Sequence, residues 1–165
     1  MSENLEIRRA RRGDLDAITS LVQRASKSRI QVDEAKVTEW LFTKGLWVAL
    51  HDGELKGVAA WQAENLVSVT DVFHVSPADL LAEVGSRLLE TIESEAGTLM
   101  CEVNVILVPA WVSWAVQSFL QKQGYETRNF EDLHRIYREV LGDFDIENWT
   151  LMVKQLRDRM VMVPL

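Results

Sequence analysis

The sequence predicts an α/β domain, with helices on both faces of a mixed, mainly antiparallel sheet, and three observations carry that expectation. Segments with helical spacing alternate with short apolar runs of strand length along the whole chain. Two of those runs are joined directly by Asp52-Gly53, a pair whose glycine supplies the positive φ of a tight hairpin turn. A third run, Leu99 to Leu107, is apolar enough to belong at the centre of a sheet covered on both faces.

Taken in order, Leu5 to Ala10 reads as a first strand. From Gly13 to Ala25 the spacing turns helical, with Leu15, Ile18, Val22 and Ala25 on one stripe and Asp14 and Asp16 in the first turn, where acids complement the helix dipole. After the polar linker SKSRIQ a second helix starts near Asp33, stacks Val37, Trp40 and Leu41, and stops at Gly45. The strands LWVAL and LKGVAAW flank the Asp52-Gly53 turn, and a further strand spans Val67 to Val75. Ser76 and Pro77 then have the chemistry of an N-cap and a first helical residue, with Asp79 placed for a capping box, so a regular helix is expected from Pro77 to about Gly97. Its buried stripe is Leu81, Val84, Leu88 and Ile92. Beyond the Leu99 to Leu107 strand, Pro109 precedes a helix from about Trp111 to Gln123, closed by Gly124. Tyr125 to Asn129 reads as a strand, Glu131 to Leu141 as a short helix and Thr150 to Leu156 as a final strand.

Composition bounds the function. At 165 residues, with no internal repeat or long linker, the chain is expected to form one domain: a core at about 5–126, then a less regular extension at 127–165. A net charge of −7 supplies no general field for nucleic acid. The basic cluster Arg8, Arg9, Arg11 and Arg12 reads as a solvated strand edge and turn. The single cysteine, Cys101, lies in an apolar run and reads as a buried, inert thiol in a reducing compartment, and a cytoplasmic location is expected. No run approaches the ~18 apolar residues of a membrane span.

Four phrases resemble, in order and spacing, the GNAT superfamily of acyl-CoA-dependent N-acyltransferases. EIRRARRGDLDAI is similar to that family's opening strand and acid-marked helix, and FHVSPADLLAEVGSRLLETI to its strand, loop and helix that hold coenzyme A. AWVSWAVQSFLQKQGYE is similar to the later helix ending in Gly-aromatic, and LMVKQL to the closing strand. The resemblance implies an N-acetyltransferase acting on a small-molecule or peptide amine, with acetyl-CoA or another acyl-CoA as cofactor. It places Phe73 and Val75 of the strand, Gly85 and Ser86 at the helix start, and Ser113 of the later helix at the cofactor.

The departures from the pattern are chemical. An Arg/Gln-x-x-Gly-x-Gly/Ala loop in the family cradles the pyrophosphate with backbone N–H groups. Here those positions are Leu80, Leu81, Ala82, Glu83, Val84 and Gly85, so a leucine replaces the cation and a glutamate the first glycine. Where family members carry a tyrosine that protonates the leaving thiolate, this chain has Leu120; Tyr125 reads as a packing aromatic.

Acyl transfer to an amine needs a base, and the central strands offer Asp71, His74 and Glu102. Strand alternation puts Asp71 on the face of Phe73 and Val75, and His74 on the other. Apolar surroundings at Glu102 can raise a carboxyl pKa toward a useful range. Each also has a structural reading, as a local hydrogen-bond partner or a cross-sheet pair. No spacing of His, Cys, Asp or Glu resembles a metal site. Six tryptophans read first as core and second as a binding or subunit surface, with Trp111 and Trp114, three apart on one helix, sharing a face. The terminal MVMVPL is expected to dock onto its own domain or a twin chain, the latter giving a homodimer. The alternative function is a GNAT-like ligand-binding or protein-interaction domain without catalysis.

Overall fold

A computed structural model of the chain describes residues 4–157. Among the described residues, five α-helices accompany seven strands, β1 (Leu5–Arg9), β2 (Gly45–His51), β3 (Glu54–Glu64), β4 (Val67–Val75), β5 (Val103–Pro109), β6 (Glu126–Arg128) and β7 (Trp149–Gln155), in the order β1-β2-β3-β4-β5-β7-β6. Contacts divide the chain into two compact units. One holds the residues up to Trp61 together with Val72–Thr91; the other holds Gln62–Asp71 together with the residues from Ile92 onward. The strand β4 (Val67–Val75) contributes residues to both.

In the first unit β1 (Leu5–Arg9), β2 (Gly45–His51) and β3 (Glu54–Glu64) pair antiparallel. Asp52 and Gly53, at φ 53° and 83°, make the expected turn between β2 and β3. The helices α1 (Leu15–Ala25) and α2 (Glu34–Thr43) cover one face, where Ile18, Leu21, Val22, Val37 and Trp40 pack on Leu46, Val48, Val58, Ala60 and Val72. Asp33 caps α2 through its side chain, which accepts from the Lys36 N–H at 2.9 Å. Gly45 does not stop α2 but opens β2, because the Trp61 indole lies over it: a Cβ there would sit 2.5 Å from the ring nitrogen.

In the second unit β4 runs parallel to β5 (Val103–Pro109), from Val67 opposite Val103 to Thr70 opposite Ile106. β7 (Trp149–Gln155) pairs antiparallel with β5, and β6 (Glu126–Arg128) with β7. Every residue of β5 is buried, as expected of a strand with neighbours on both sides. It starts later than its sequence suggests, because Leu99 and Met100 belong to an exposed turn in which Met100 takes φ 63°. The α4 helix (Trp114–Lys122) also starts late, at an N-cap on Ser113. Trp111 therefore lies in the preceding turn, and helical spacing does not relate it to Trp114. On one face α5 (Arg135–Leu141) packs Tyr137, Val140 and Leu141 against Val67, Val69, Val103, Val105 and Leu107. Residues 158–165, which include the terminal apolar segment, lie outside the described residues.

The basic cluster is tied down locally. Arg8 donates to Asp14 at 2.7 and 3.0 Å, which lowers the Asp14 pKa. Arg9 lies over the Trp47 ring at 5.1 Å and Arg12 over Phe42 at 5.7 Å.

Candidate functional site

The first unit carries the junction at which β4 becomes a helix. β4 runs five residues beyond the last rung of its ladder with β5 and ends at Val75. The regular helix expected from Pro77 does not form. A 3₁₀ turn spans Ala78–Leu80, a π turn spans Leu81–Gly85, and only then does the α3 helix (Ser86–Thr98) begin. Local propensity favoured an unbroken helix; packing decides otherwise. Val84 and Leu88 reach β3 at Gly57, where an added Cβ would meet Val84 Cγ1 at 2.7 Å and Leu88 Cδ1 at 2.9 Å. Gly57 is thus the seat of the helix start, a role its place in LKGVAAW did not reveal.

Phe73, His74, Val75, Gly85 and Ser86 fall together in this unit. Gly85 is buried in the π turn, and the Ser86 hydroxyl donates to the Glu83 carbonyl at 3.1 Å. His74 is half-buried, and burial lowers its imidazole pKa to about 4, so the ring is neutral at pH 7. Glu83, with 43% of its side chain exposed, places a carboxylate oxygen 3.7 Å from Nε2 of His51. The other nitrogen of that imidazole, Nδ1, lies 3.6 Å from Asp52.

Asp71, Glu102 and Ser113 fall in the second unit. Asp71 follows the last β4–β5 rung and is half-buried. Glu102 is fully buried and accepts from the Tyr137 hydroxyl at 3.3 Å. That contact and burial raise the Tyr137 pKa, burial being the larger cause. Ser113 is exposed at the head of α4. The thiol of Cys101 is buried, which raises its pKa.

A polar network that the sequence reading missed crosses the opposite face of β5 from α5. Asn104 Oδ1 accepts from Ser68 at 2.7 Å and Thr70 at 3.1 Å, and its amide donates to the Tyr125 hydroxyl at 2.9 Å. Tyr125 in turn donates to Glu93 at 2.8 Å, and Lys154 closes the chain on the other Glu93 oxygen at 2.7 Å. Burial first, and the Glu93 charge second, raise the Tyr125 pKa well above its ordinary value. Gly124, at φ 99°, lets the Lys154 stem pass: a Cβ would stand 3.2 Å from Lys154 Cε. Tyr125 is therefore a hydrogen-bonding hub as well as a packing ring. The signal for it was the period-two polar residues Ser68 and Thr70, with Asn104, inside strands otherwise apolar.

Solved structures share this arrangement of strands and helices. An acetyltransferase of the GNAT family from Staphylococcus aureus superposes with a TM-score of 0.76 at 13% identity, over 93% of this chain and all of that one. The ribosomal-protein-S18-alanine N-acetyltransferase of Escherichia coli gives 0.71 at 15% identity, over 98% of this chain and 100% of that one. This chain has the GNAT fold. The N-acetylglutamate synthase of Neisseria gonorrhoeae, complexed with coenzyme A and N-acetyl-glutamate, gives 0.73 at 20% identity over 95% of this chain. The chain spans 36% of that enzyme's length. No protein-family model matches the sequence, and no curated protein sequence matches it.

The GNAT fold implies coenzyme A, and the junction fits only part of that molecule. A strand end followed at once by a helix start offers backbone amides to an extended arm and first-turn N–H groups to an anion. The side chains do not suit a diphosphate. From Val72 to Ser86 there is no lysine or arginine, Leu80 is uncharged, and Glu83 and Asp79 bring negative charge; the first cation is the exposed Arg87, in the first turn of α3. Among the described residues no group of three His, Cys, Asp or Glu side chains can hold a metal, and no helix is long and apolar enough to cross a membrane.

Proposed function

We propose that this chain is an acyl-thioester-dependent N-acyltransferase, in which an amine replaces the thiol on the acyl carbon of a thioester donor. The donor's arm lies along the end of β4 at Phe73 and Val75, and its head meets the helix start at Gly85 and Ser86. The acceptor is a small-molecule or peptide amine. The observation that carries this reading is the junction itself, where β4 passes into a helix start seated on Gly57.

Of the three candidate bases, His74 belongs to the same unit as the donor segment but lies on the β4 face opposite Phe73 and Val75, the face that Asp71 shares with them. Its imidazole stays neutral above about pH 4, which keeps it unprotonated but makes it a weak base. Asp71 is the second candidate. Glu102 is committed to Tyr137 and fully buried, which leaves it a structural acid.

The test is thiol release by the purified chain from acetyl-CoA and from S-acetylpantetheine with a panel of primary amines. Amine-dependent release that falls at least tenfold in His74→Gln supports the reading; loss in Asp71→Asn with His74→Gln unaffected moves the base to Asp71. Absence of turnover with every donor and amine overturns it. That outcome would favour the second reading, a binding domain without catalysis, for which Trp114 on α4, 73% exposed, is the supporting observation.

A further inference from the structure

The turn from β1 into α1 gathers positive charge on a chain that is negative overall. Residues 8–16 carry four arginines against Asp14 and Asp16, on a chain of net charge −7. Asp14 shapes the turn: it accepts from Arg8 at 2.7 and 3.0 Å and from the Arg11 N–H at 2.7 Å. Other acids nearby are engaged, Glu6 on Arg8 at 3.4 Å and Glu39 on Lys36 at 3.2 Å. Asp16, in the first turn of α1, is the acid that opposes an incoming anion. Arg11 and Arg12 are both exposed. The Ala10 N–H donates to the Leu46 carbonyl at 2.9 Å and Arg9 pairs with Trp47, which sets the turn beside the end of α2 and the start of β2. There Arg12 lies 5.7 Å over the ring of Phe42, and Phe42 is itself 67% exposed.

We propose that Arg11, Arg12 and Phe42 form a docking surface for an acidic protein segment, with Asp or Glu carboxylates on the guanidinium groups and an apolar side chain against Phe42. A guanidinium held over a ring is already ordered, so it loses less freedom when it pairs with a carboxylate. An exposed aromatic beside arginine is the composition of an interface anchor. Charge complementarity selects the partner. The rest of the chain is net negative, so attraction is confined to this turn and fades within about 8 Å at physiological salt. A short acidic segment fits that range. A nucleic acid would run beyond it, and single strands bind by stacking bases on aromatic faces. Arg9 and Arg12 already take one face each of Trp47 and Phe42. The surface does not depend on the thioester site.

The experiment is fluorescence anisotropy of the full chain at low salt with labelled probes: a short glutamate-rich peptide with a central leucine, its glutamine counterpart, and a short oligothymidylate. The acidic peptide should bind tightest. Arg11→Gln with Arg12→Gln should weaken it about fivefold, as the loss of two exposed ion-pair contacts implies. Phe42→Ala should weaken the leucine-bearing peptide more than the same peptide with alanine in its place. Arg24→Gln with Lys56→Gln removes the same charge from the far end of α1 and from beside the β2–β3 turn, and should change affinity less than about twofold. Melting temperatures close to wild type establish that the variants are folded. Equal affinity in the wild type and the Arg11, Arg12 double variant overturns the surface, and so does failure of the acidic peptide to bind. An oligonucleotide bound more tightly than the peptide, and weakened by the same two substitutions, overturns the acidic segment in favour of a nucleic-acid contact.

Discussion

The β4–α3 junction of the first unit and the Asn104 network of the second handle polar groups in opposite ways. In the network each side chain meets another: Ser68, Thr70, Tyr125, Glu93 and Lys154 all bond within it. Buried and closed on itself, such a set stabilises and specifies the packing around β5 but offers nothing to a ligand. At the junction the helix start is irregular, its first-turn N–H groups are supplied by backbone, and the acids beside them face outward. Local regularity is given up there while Gly57 keeps the segment seated. A region that spends its polar groups internally is scaffold, and one that leaves them outward is where recognition belongs.

Breaking the scaffold side should give the largest effect. Asn104→Ala removes the acceptor of two buried hydroxyls and a donor to a third, and should cost about 3–4 kcal/mol in denaturant unfolding. A loss under about 1 kcal/mol would mean that water replaces the amide and the region is not closed. Next in size is an acid-sensitive term at the junction. The folded pKa of His74 is about 4, below the ordinary 6.5, so the native state binds fewer protons than the unfolded chain in between. Its stability contribution is therefore full above pH 6.5 and is lost as pH falls toward 4, by up to about 3 kcal/mol. The stability of His74→Gln should fall less over that window, and equal slopes for wild type and variant would deny the burial of the ring. Third, Gly57→Ala should cost about 2 kcal/mol through overpacking against Val84 and Leu88, and should weaken thioester binding as the helix start shifts. An unchanged melting temperature would show that Gly57 is not the seat.

Legibility in the sequence followed the range of the forces involved. The Asp52-Gly53 hairpin, the start of α2 near Asp33 and the full extent of β4 were readable because each depends on residues within a few positions. The helix start was misread because Ser76, Pro77 and Asp79 argue locally for one geometry while Gly57, more than twenty residues earlier in the chain, imposes another. β5 was begun too early because Leu99 and Met100 are apolar and yet exposed, which periodicity does not detect. The candidate bases were named without their partners. Burial of Glu102 against Tyr137 comes from an α5 residue 35 positions away, and the Tyr125 link to Asn104 spans 21. No local pattern carries such pairings.

The smallest of these effects tests what closes the network at its outer end. Lys154 and Glu93 keep 29% and 18% of their side chains exposed, so their pair works in a partly aqueous dielectric. Lys154→Met preserves the stem that lies beside Gly124 and takes away only the charge. Glu93 then retains the Tyr125 hydroxyl as its donor, and the expected loss is about 1 kcal/mol, shrinking at high salt. A loss as large as that of Asn104→Ala, and insensitive to salt, would place the closure in the ion pair and make the hydrogen bonds secondary. No loss at all would mean that Tyr125 alone holds Glu93, and that the network ends at the ring whose hydroxyl the Gly-aromatic pair buries.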